Sequence, residues 1–252
     1  VATSSGVTIY DGDDPDLPMW MVFEDTVSDM INTHNVSPSS FSLSALNANV
    51  LIGSRNPSYG EANVINFISD NGVSYYSAHS GDYRGSISQR NDGLSQTINS
   101  NYGTLINSVV NDVAMTVLPN APIDDATGLP IPTIAVAVGH AGAANGGVSV
   151  IKDNGSVVDI RAGTGAGGYA SYNVEFGSNN ELIHTQAYNN SYASVNIFDD
   201  IPSSDVSASN SYSAARSYLY INGVPDLRGG VNGGSTPNLE YVSKSSNGDI
   251  AF

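Results

Sequence analysis

Residues 111–160 read NDVAMTVLPNAPIDDATGLPIPTIAVAVGHAGAANGGVSVIKDNGSVVDI, and this pattern decides the fold. Four short runs, alternating or rich in β-branched residues, are separated by Pro, Gly, Asp and Asn. An apolar period of two bounded by turn formers marks consecutive antiparallel strands. An excursion from Pro119 to Pro132 divides the first two runs, and a glycine-rich tip, GHAGAANGG, divides the next two. One β-propeller blade has this grammar.

The same grammar recurs on both sides. Upstream, Val7–Tyr10 and PMWMVF (Pro18–Phe23) read as strands of one unit. Val27, Met30 and Ile31 fall at helical spacing, which predicts a short helix between Glu24 and His34. FSLSAL from Phe41, NVLIGS from Asn49, NVINFI and VSYYSA form a second four-strand unit, with Asp70, Asn71 and Gly72 as its last turn. His79 to Asn101 is polar and reads as an exposed link between units. Downstream, YNVEFG from Tyr172, ELIHTQAY from Glu181 and SVNIF from Ser194 supply three strands. Ser203 to Ala215 is a low-complexity loop. YLYING from Tyr218, LEYVSK from Leu239 and the terminal GDIAF make a fifth, incomplete unit.

One landmark, the β-branched residue opening the third strand of each unit, falls at Val7, Val64, Val148, Val195 and Ile250. Its spacing, roughly 47 to 84 residues, exceeds the usual 40 to 50 of a blade and implies long inter-strand loops. VATSSGVTIYD aligns with the interior of IAVAVGHAGAANGGVSVIKD, so the chain is expected to begin inside a strand as a piece of something longer. The expected fold is all-β, a β-propeller of four-stranded blades with about five units, the first and last incomplete. Residues 1–252 would form a single propeller domain or a fragment of a larger one. A parallel β-helix and a β-sandwich stay open. The first lacks its short coil period here, and a single sandwich leaves the fivefold recurrence unexplained.

Composition narrows the partners. Asp and Glu number 24 against 8 Lys and Arg, a formal charge of −16 that repels a phosphate backbone, so no nucleic acid is expected. Such acidity suits solubility in an extracellular or saline setting. Without cysteine there is neither a disulfide framework nor a thiolate metal site. No apolar run reaches the 18 to 20 residues of a transmembrane helix, and no membrane insertion is expected.

The chemistry-bearing motifs are weak. Gly163, Gly165 and Gly168 satisfy Gly-x-Gly-x-x-Gly after VVDI, but the alternating YASYNVEFG follows where a phosphate-binding helix must start. The segment reads as a turn between units. Asp11, Asp13, Asp14 and Asp16 could gather oxygen ligands for calcium, yet they lack EF-hand spacing and its closing Glu, and they read as a solvated loop. Asp124 and Asp125, near Thr127 and Gly128, invite the same question. His34, His79, His140 and His184 stand in unrelated contexts with no metal-ligand spacing. No serine sits in a nucleophile elbow, and no sequence cue pairs one with a base. Among 14 tyrosines, Tyr75, Tyr76, Tyr169, Tyr172, Tyr188 and Tyr192 lie near predicted loops or strand ends, where amphipathic rings serve saccharide or protein recognition. No catalytic residue, metal or cofactor is expected.

NDVAMTVLP, NAPIDDATGLP, IPTIAVAV and GGVSVIKDNGSVVDI resemble a repeat of large bacteriophage and environmental viral proteins. DLPMWMVF, SLSALNANVLIGS and ISQRNDG fit the same pattern. The resemblance covers most of residues 1–160 and fades after Tyr172. It implies a β-propeller in a tail or tail-fibre protein, a non-enzymatic, extracellular virion component. Its expected partners are other virion proteins and a host-surface glycan or protein. The alternatives are a secreted glycan-active enzyme on a propeller scaffold and a bacterial surface adhesin module. The excursion and the GHAGAANGG tip are the expected recognition surfaces, since loops on a rigid scaffold carry function.

Overall fold

A computed structural model of the chain describes residues 1–3, 6–16, 18–24, 29–31, 41–55, 60–99, 101–139, 145–164, 169–188 and 192–206, and the strand residues 216–221, 224–226, 243–244 and 250–251. The fold is all-β, with no α-helix among the described residues. Strands β1 (Ala2–Thr3), β2 (Gly6–Tyr10) and β3 (Met19–Glu24) form the first sheet. The second holds β4 (Phe41–Leu46), β5 (Asn49–Ser54), β6 (Ala62–Asn66), β7 (Asn71–Tyr75), β8 (Ser80–Tyr83) and β9 (Gln96–Ile98). The third is β10 (Val110–Thr116), β11 (Thr133–Val138), β12 (Asn145–Ile151) and β13 (Val157–Thr164). The fourth is β14 (Tyr169–Phe176), β15 (Leu182–Tyr188), β16 (Tyr192–Phe198), β17 (Arg216–Ile221) and β18 (Val224–Asp226), and a fifth pairs β19 (Ser243–Lys244) with β20 (Ile250–Ala251). Each sheet is an antiparallel meander in chain order, and none closes on itself.

Val64, Val148 and Val195 all fall on third strands of their sheets, as the landmark requires. Other expectations need correction. Among the described residues only the third sheet has four strands. The polar stretch from His79 is no exposed link, because β8, a 3₁₀ turn at Ile87–Gln89 and β9 extend the second sheet and bury Tyr83 and Ile87. Its few apolar residues suffice because Tyr83, Ile87 and Leu94 converge on one cluster. Asn71 and Gly72 begin β7, and Asp70, at φ 55, ends the turn before them. The run from Tyr218 joins the fourth sheet through β17 instead of starting a fifth unit. Val206, in the segment read as loop, forms a parallel bridge with Ile160 at the outer edge of the third sheet. Asp29–Ile31, inside the predicted helix, is a bend with Met30 and Ile31 buried, and the rest of that prediction lies outside the described residues apart from Glu24 in β3.

Successive sheets pack face to face. Val7 and Phe23 of the first meet Ile52 and Ile65 of the second. The opposite face of the second, Leu51, Ala62 and Tyr75, meets Val113, Ile134, Val136 and Val138 of the third. The other face of the third, Ala114, Ala135, Ala137, Val148 and Val150, meets Val174, Leu182 and Phe198 of the fourth. The alternation in TIAVAV thus sends Val and Ile one way and Ala the other, and every residue of β11 is buried. Each fully buried Val, Leu or Ile contributes about 1.5 to 3 kcal/mol. Large residues on one sheet face small ones on the next. A Cβ on Gly53 would lie 2.7 Å from Cγ1 of both Val110 and Val113, so this glycine lets the second and third sheets close up.

A polar clasp joins the first strands of three sheets. β-bulges fall at Asn111 in β10 and after Ser171 in β14. The first turns Asp112 between its neighbours. Its carboxylate accepts hydrogen bonds from Ser42 Oγ of β4 at 2.5 Å and from the Val174 amide of β14 at 2.9 Å. Ser42 Oγ in turn accepts from the Val113 amide at 3.2 Å. Beside it, Asn111 Nδ2 donates to the carbonyls of Gly139 and Ser171 at 2.6 and 2.7 Å. Hydrogen bonds to a charged acceptor are the stronger kind.

Two stability changes of opposite sign are expected in denaturant unfolding. Asp112→Ala removes the clasp and leaves the bulge amide of Val174 unsatisfied, which should cost about 2 to 3 kcal/mol. Ala48→Gly relieves an alanine held at φ 62 in the two-residue β4–β5 turn and should add about 1 kcal/mol.

Candidate functional site

The Pro119–Pro132 excursion shapes a cleft against the second sheet. Ile123 bridges Pro130, the Asp124 amide donates to the Leu129 carbonyl at 2.9 Å, and Gly128 turns the tip at φ 68. Asp124 Oδ1 and Thr127 Oγ1 accept from the Ala126 and Leu129 amides at 3.0 and 3.1 Å, so the side chains of this small hairpin brace it. Asn47 Nδ2, from the β4–β5 turn, donates to the Pro130 carbonyl at 2.8 Å and docks the excursion on the second sheet.

The cleft, partly open to solvent, measures about 200 Å³. Its walls are Asn47, Asn49 and Asn66 on one side, Asp124 and Thr127 on another, and Lys152 and Asp153 of the β12–β13 turn on the third. Val64, Val73, Tyr75, Ile134 and Ile151 supply the apolar lining. The asparagines form a ladder: Asn66 Nδ2 donates to Asn49 Oδ1 at 3.1 Å, and Asn49 Nδ2 to the Asn47 carbonyl at 3.0 Å. Asn66 Oδ1 also accepts from the Ile68 and Ser69 amides, which holds the amide plane. An apolar floor with amide, carboxylate and ammonium groups at the rim suits one small hydroxylated ring.

Among the candidates whose side chains are described, Tyr75 is the one that lines this cleft. Burial, then the neighbouring Tyr102 and Asp82, push its hydroxyl well above the usual range, so it stays neutral. Tyr102 donates to Asp82 Oδ1 at 2.9 Å, and its hydroxyl is pushed up to about 12, by burial first. Tyr76 stacks on His79 with centroids 4.6 Å apart. Burial, then Glu61, raises its hydroxyl. Tyr172 is half-buried on β14, whereas the side chains of Tyr169, Tyr188 and Tyr192 lie outside the described residues.

The remaining candidates do not converge. Asp11, Asp13, Asp14 and Asp16 lie in the exposed β2–β3 connection, where Asp11 and Asp14 accept from the amides of Asp13 and Asp16 at 3.0 Å. Among the described residues no three His, Asp or Glu side chains gather in metal-binding geometry. Asp125 is exposed. Gly163 lies in β13 and a strand, β14, comes next, while Gly165 and Gly168 lie outside the described residues, as do His34 and His140. The tip GHAGAANGG is described only at Gly139 and from Asn145, where β12 begins.

The structure does pair a serine with a histidine. Ser171 Oγ lies 3.0 Å from His184 Nδ1, a contact produced by the β14 bulge and invisible in the sequence. Both are buried, and the imidazole stacks on Phe198 at 6.0 Å. Their burial makes the pair part of the core. Reading the sequence also missed Asn47, Asn49, Asn66, Lys152 and Asp153. The available signal was the spacing of Asn47 and Asn49 around a two-residue hairpin turn.

The chain matches no family model, no curated protein and no solved structure.

Burial pushes His184 down to about 4, partly opposed by a hydrogen bond with the Thr185 backbone. The folded state therefore disfavours the proton that the unfolded chain takes up near pH 6.5. The contribution of this group to stability is fully present above about pH 6.5 and is lost, by about 3 kcal/mol, as pH falls towards 4. Denaturant midpoints across this range should show His184→Gln with an acid limb flatter by that amount. An unchanged limb would place the acid sensitivity elsewhere.

Proposed function

We propose that this chain is a structural protein of a virus particle, a tail or tail-fibre component whose sheets form an arc of a β-propeller. The excursion cleft meets a glycan on the host surface. Several features support the propeller reading. Meander sheets stack face to face in chain order, as blades do around an axis. The leading strands β4, β10 and β14 pack side by side, the place of innermost strands, and the Asp112 clasp joins them. The viral resemblance of residues 1–160 supplies the setting, an extracellular particle with other virion proteins as neighbours. The charge of −16 disfavours a nucleic-acid role. No helix among the described residues is long and apolar enough to cross a membrane.

The observation that carries host attachment is the asparagine-walled cleft with its apolar floor. Amide ladders bind hydroxyl pairs through directed donors and acceptors, and an apolar floor accepts the carbon face of a sugar ring. A second reading, a glycan-active enzyme, draws on one specific feature, the presence of Asp124 and Asp153 on the same cleft. Two carboxylates flanking a sugar are the minimal machinery of glycoside hydrolysis.

One set of experiments separates these readings. Mass spectrometry of purified virus particles from the source material should find peptides of this chain, and finding them on bacterial surfaces instead would assign an adhesin. On a glycan array the chain should retain saccharides, with Asn66→Ala weakening retention about tenfold, equivalent to about 1.4 kcal/mol. Release of new reducing ends, abolished by Asp124→Asn or Asp153→Asn, would favour the enzyme. No saccharide binding at all would remove the cleft from the proposal.

A further inference from the structure

A second surface lies at the opposite end of the chemical range from the cleft. Strand β3 carries a bulge at Trp20: Ile9 pairs with Met21, but Tyr10 pairs with Met19. A bulge re-aims the extra side chain. Trp20, the sole tryptophan, is turned onto Phe67 of the β6–β7 turn, with ring centroids 5.7 Å apart and planes 28° apart. Phe67 in turn meets Phe23 edge-on at 6.3 Å, so the platform is rooted in the core.

The rest of the platform is open. Trp20 is 60% exposed, Met19 64%, Ile68 50% and Tyr10 44%. Trp20 and Ile68 leave apolar surface open beside Phe67, and Met19 and Tyr10 expose more at the adjoining strand end; a large exposed side chain on an aromatic support marks an interaction site more than a random surface. The platform's border is acidic. The β2–β3 connection leaves directly from the Tyr10–Met19 pair and is closed by the Asp11 amide donating to the Pro18 carbonyl at 3.0 Å. It carries Asp11, Asp13, Asp14 and Asp16, and the sequence has no Lys or Arg before Arg55. Arg90, the cation packed nearby, lies over the Phe23 ring at 5.5 Å and donates to the Ile87 carbonyl, so it belongs to the core side of the sheet.

We propose that this platform binds a basic, arginine- or lysine-bearing segment of a partner protein. One guanidinium or ammonium lies over the open face of Trp20, and neighbouring cations face the aspartate loop. Charge complementarity here adjoins an aromatic face. A tryptophan ring attracts a cation through its quadrupole, and four carboxylates beside it raise the local concentration of positive charge. A neutral sugar would use the ring and leave the carboxylates without a role.

Trp20 is its own reporter, because all tryptophan emission comes from this site. Titrating the chain with a short arginine-rich peptide at low salt should give a saturable change in emission. Affinity should fall about tenfold or more when salt rises from about 50 to about 300 mM. The quadruple variant Asp11→Asn, Asp13→Asn, Asp14→Asn, Asp16→Asn retains the side-chain oxygens that accept from the loop amides. It should keep its circular dichroism and bind at least about tenfold more weakly. Calorimetry with Trp20→Ala should show a comparable loss. An equal response to a glutamate-rich peptide, no response to the basic one, or full binding by the quadruple variant would each overturn the proposal. So would a salt-independent response to a neutral oligosaccharide, which would make the platform a sugar site.

Discussion

Burial of the third sheet on both faces is the constraint on which the rest depends. A two-layer β-protein leaves its strands one polar face, but β11 has none. Its neighbours must therefore supply two complementary surfaces. They do so by size: Gly53 and Ala62 receive Val110, Val113 and the Val and Ile of one face, and the alanines of the other face admit Leu182 and Phe198. The Asp112 clasp then fixes the relative slide of the sheets, because hydrogen bonds are directional where apolar packing is not.

Several polar groups enter this interior in company, whereas the buried Thr133 hydroxyl makes no hydrogen bond among the described residues. Ser149 Oγ donates to Asp159 and accepts the Ile106 amide, which ties the link from the second sheet to the third. Arg161 completes the arrangement at 3.0 Å from Asp159. Burial raises Asp159, whereas Ser149 and Arg161 hold it lower. In the second sheet, Glu61 accepts from Asn63 Nδ2 at 2.9 Å, and Ser74 Oγ and Gln96 continue the chain of hydrogen bonds. Such networks specify register, since a slip of one residue would strand every member.

The two surfaces with recognition chemistry arise from the same scaffold by different means. The cleft exists because a long inter-strand excursion folds back and is docked by Asn47. The Trp20 platform exists because a bulge turns one residue of a short strand away from its expected course. Insertion length was readable from the residues, and there Asp124 drew notice only with Asp125, as a possible calcium ligand. The bulge was not, since PMWMVF has no interruption in its apolar run.

The sequence by itself determined the strands and their antiparallel grammar: FSLSAL and NVLIGS coincide with β4 and β5, and the four runs of residues 111–160 became the third sheet. Local information suffices there, because alternation and turn residues act over a few positions. Tertiary structure alone decided the number of strands in each sheet. It recruited the polar segment after His79 as β8 and β9 and drew the run from Tyr218 into the fourth sheet. It also brought Asn47, Asn66, Asp124 and Asp153 to one cleft and buried Ser171 against His184. Those outcomes depend on partners far along the chain, and no short-range pattern encodes which free edge or open face a segment will meet.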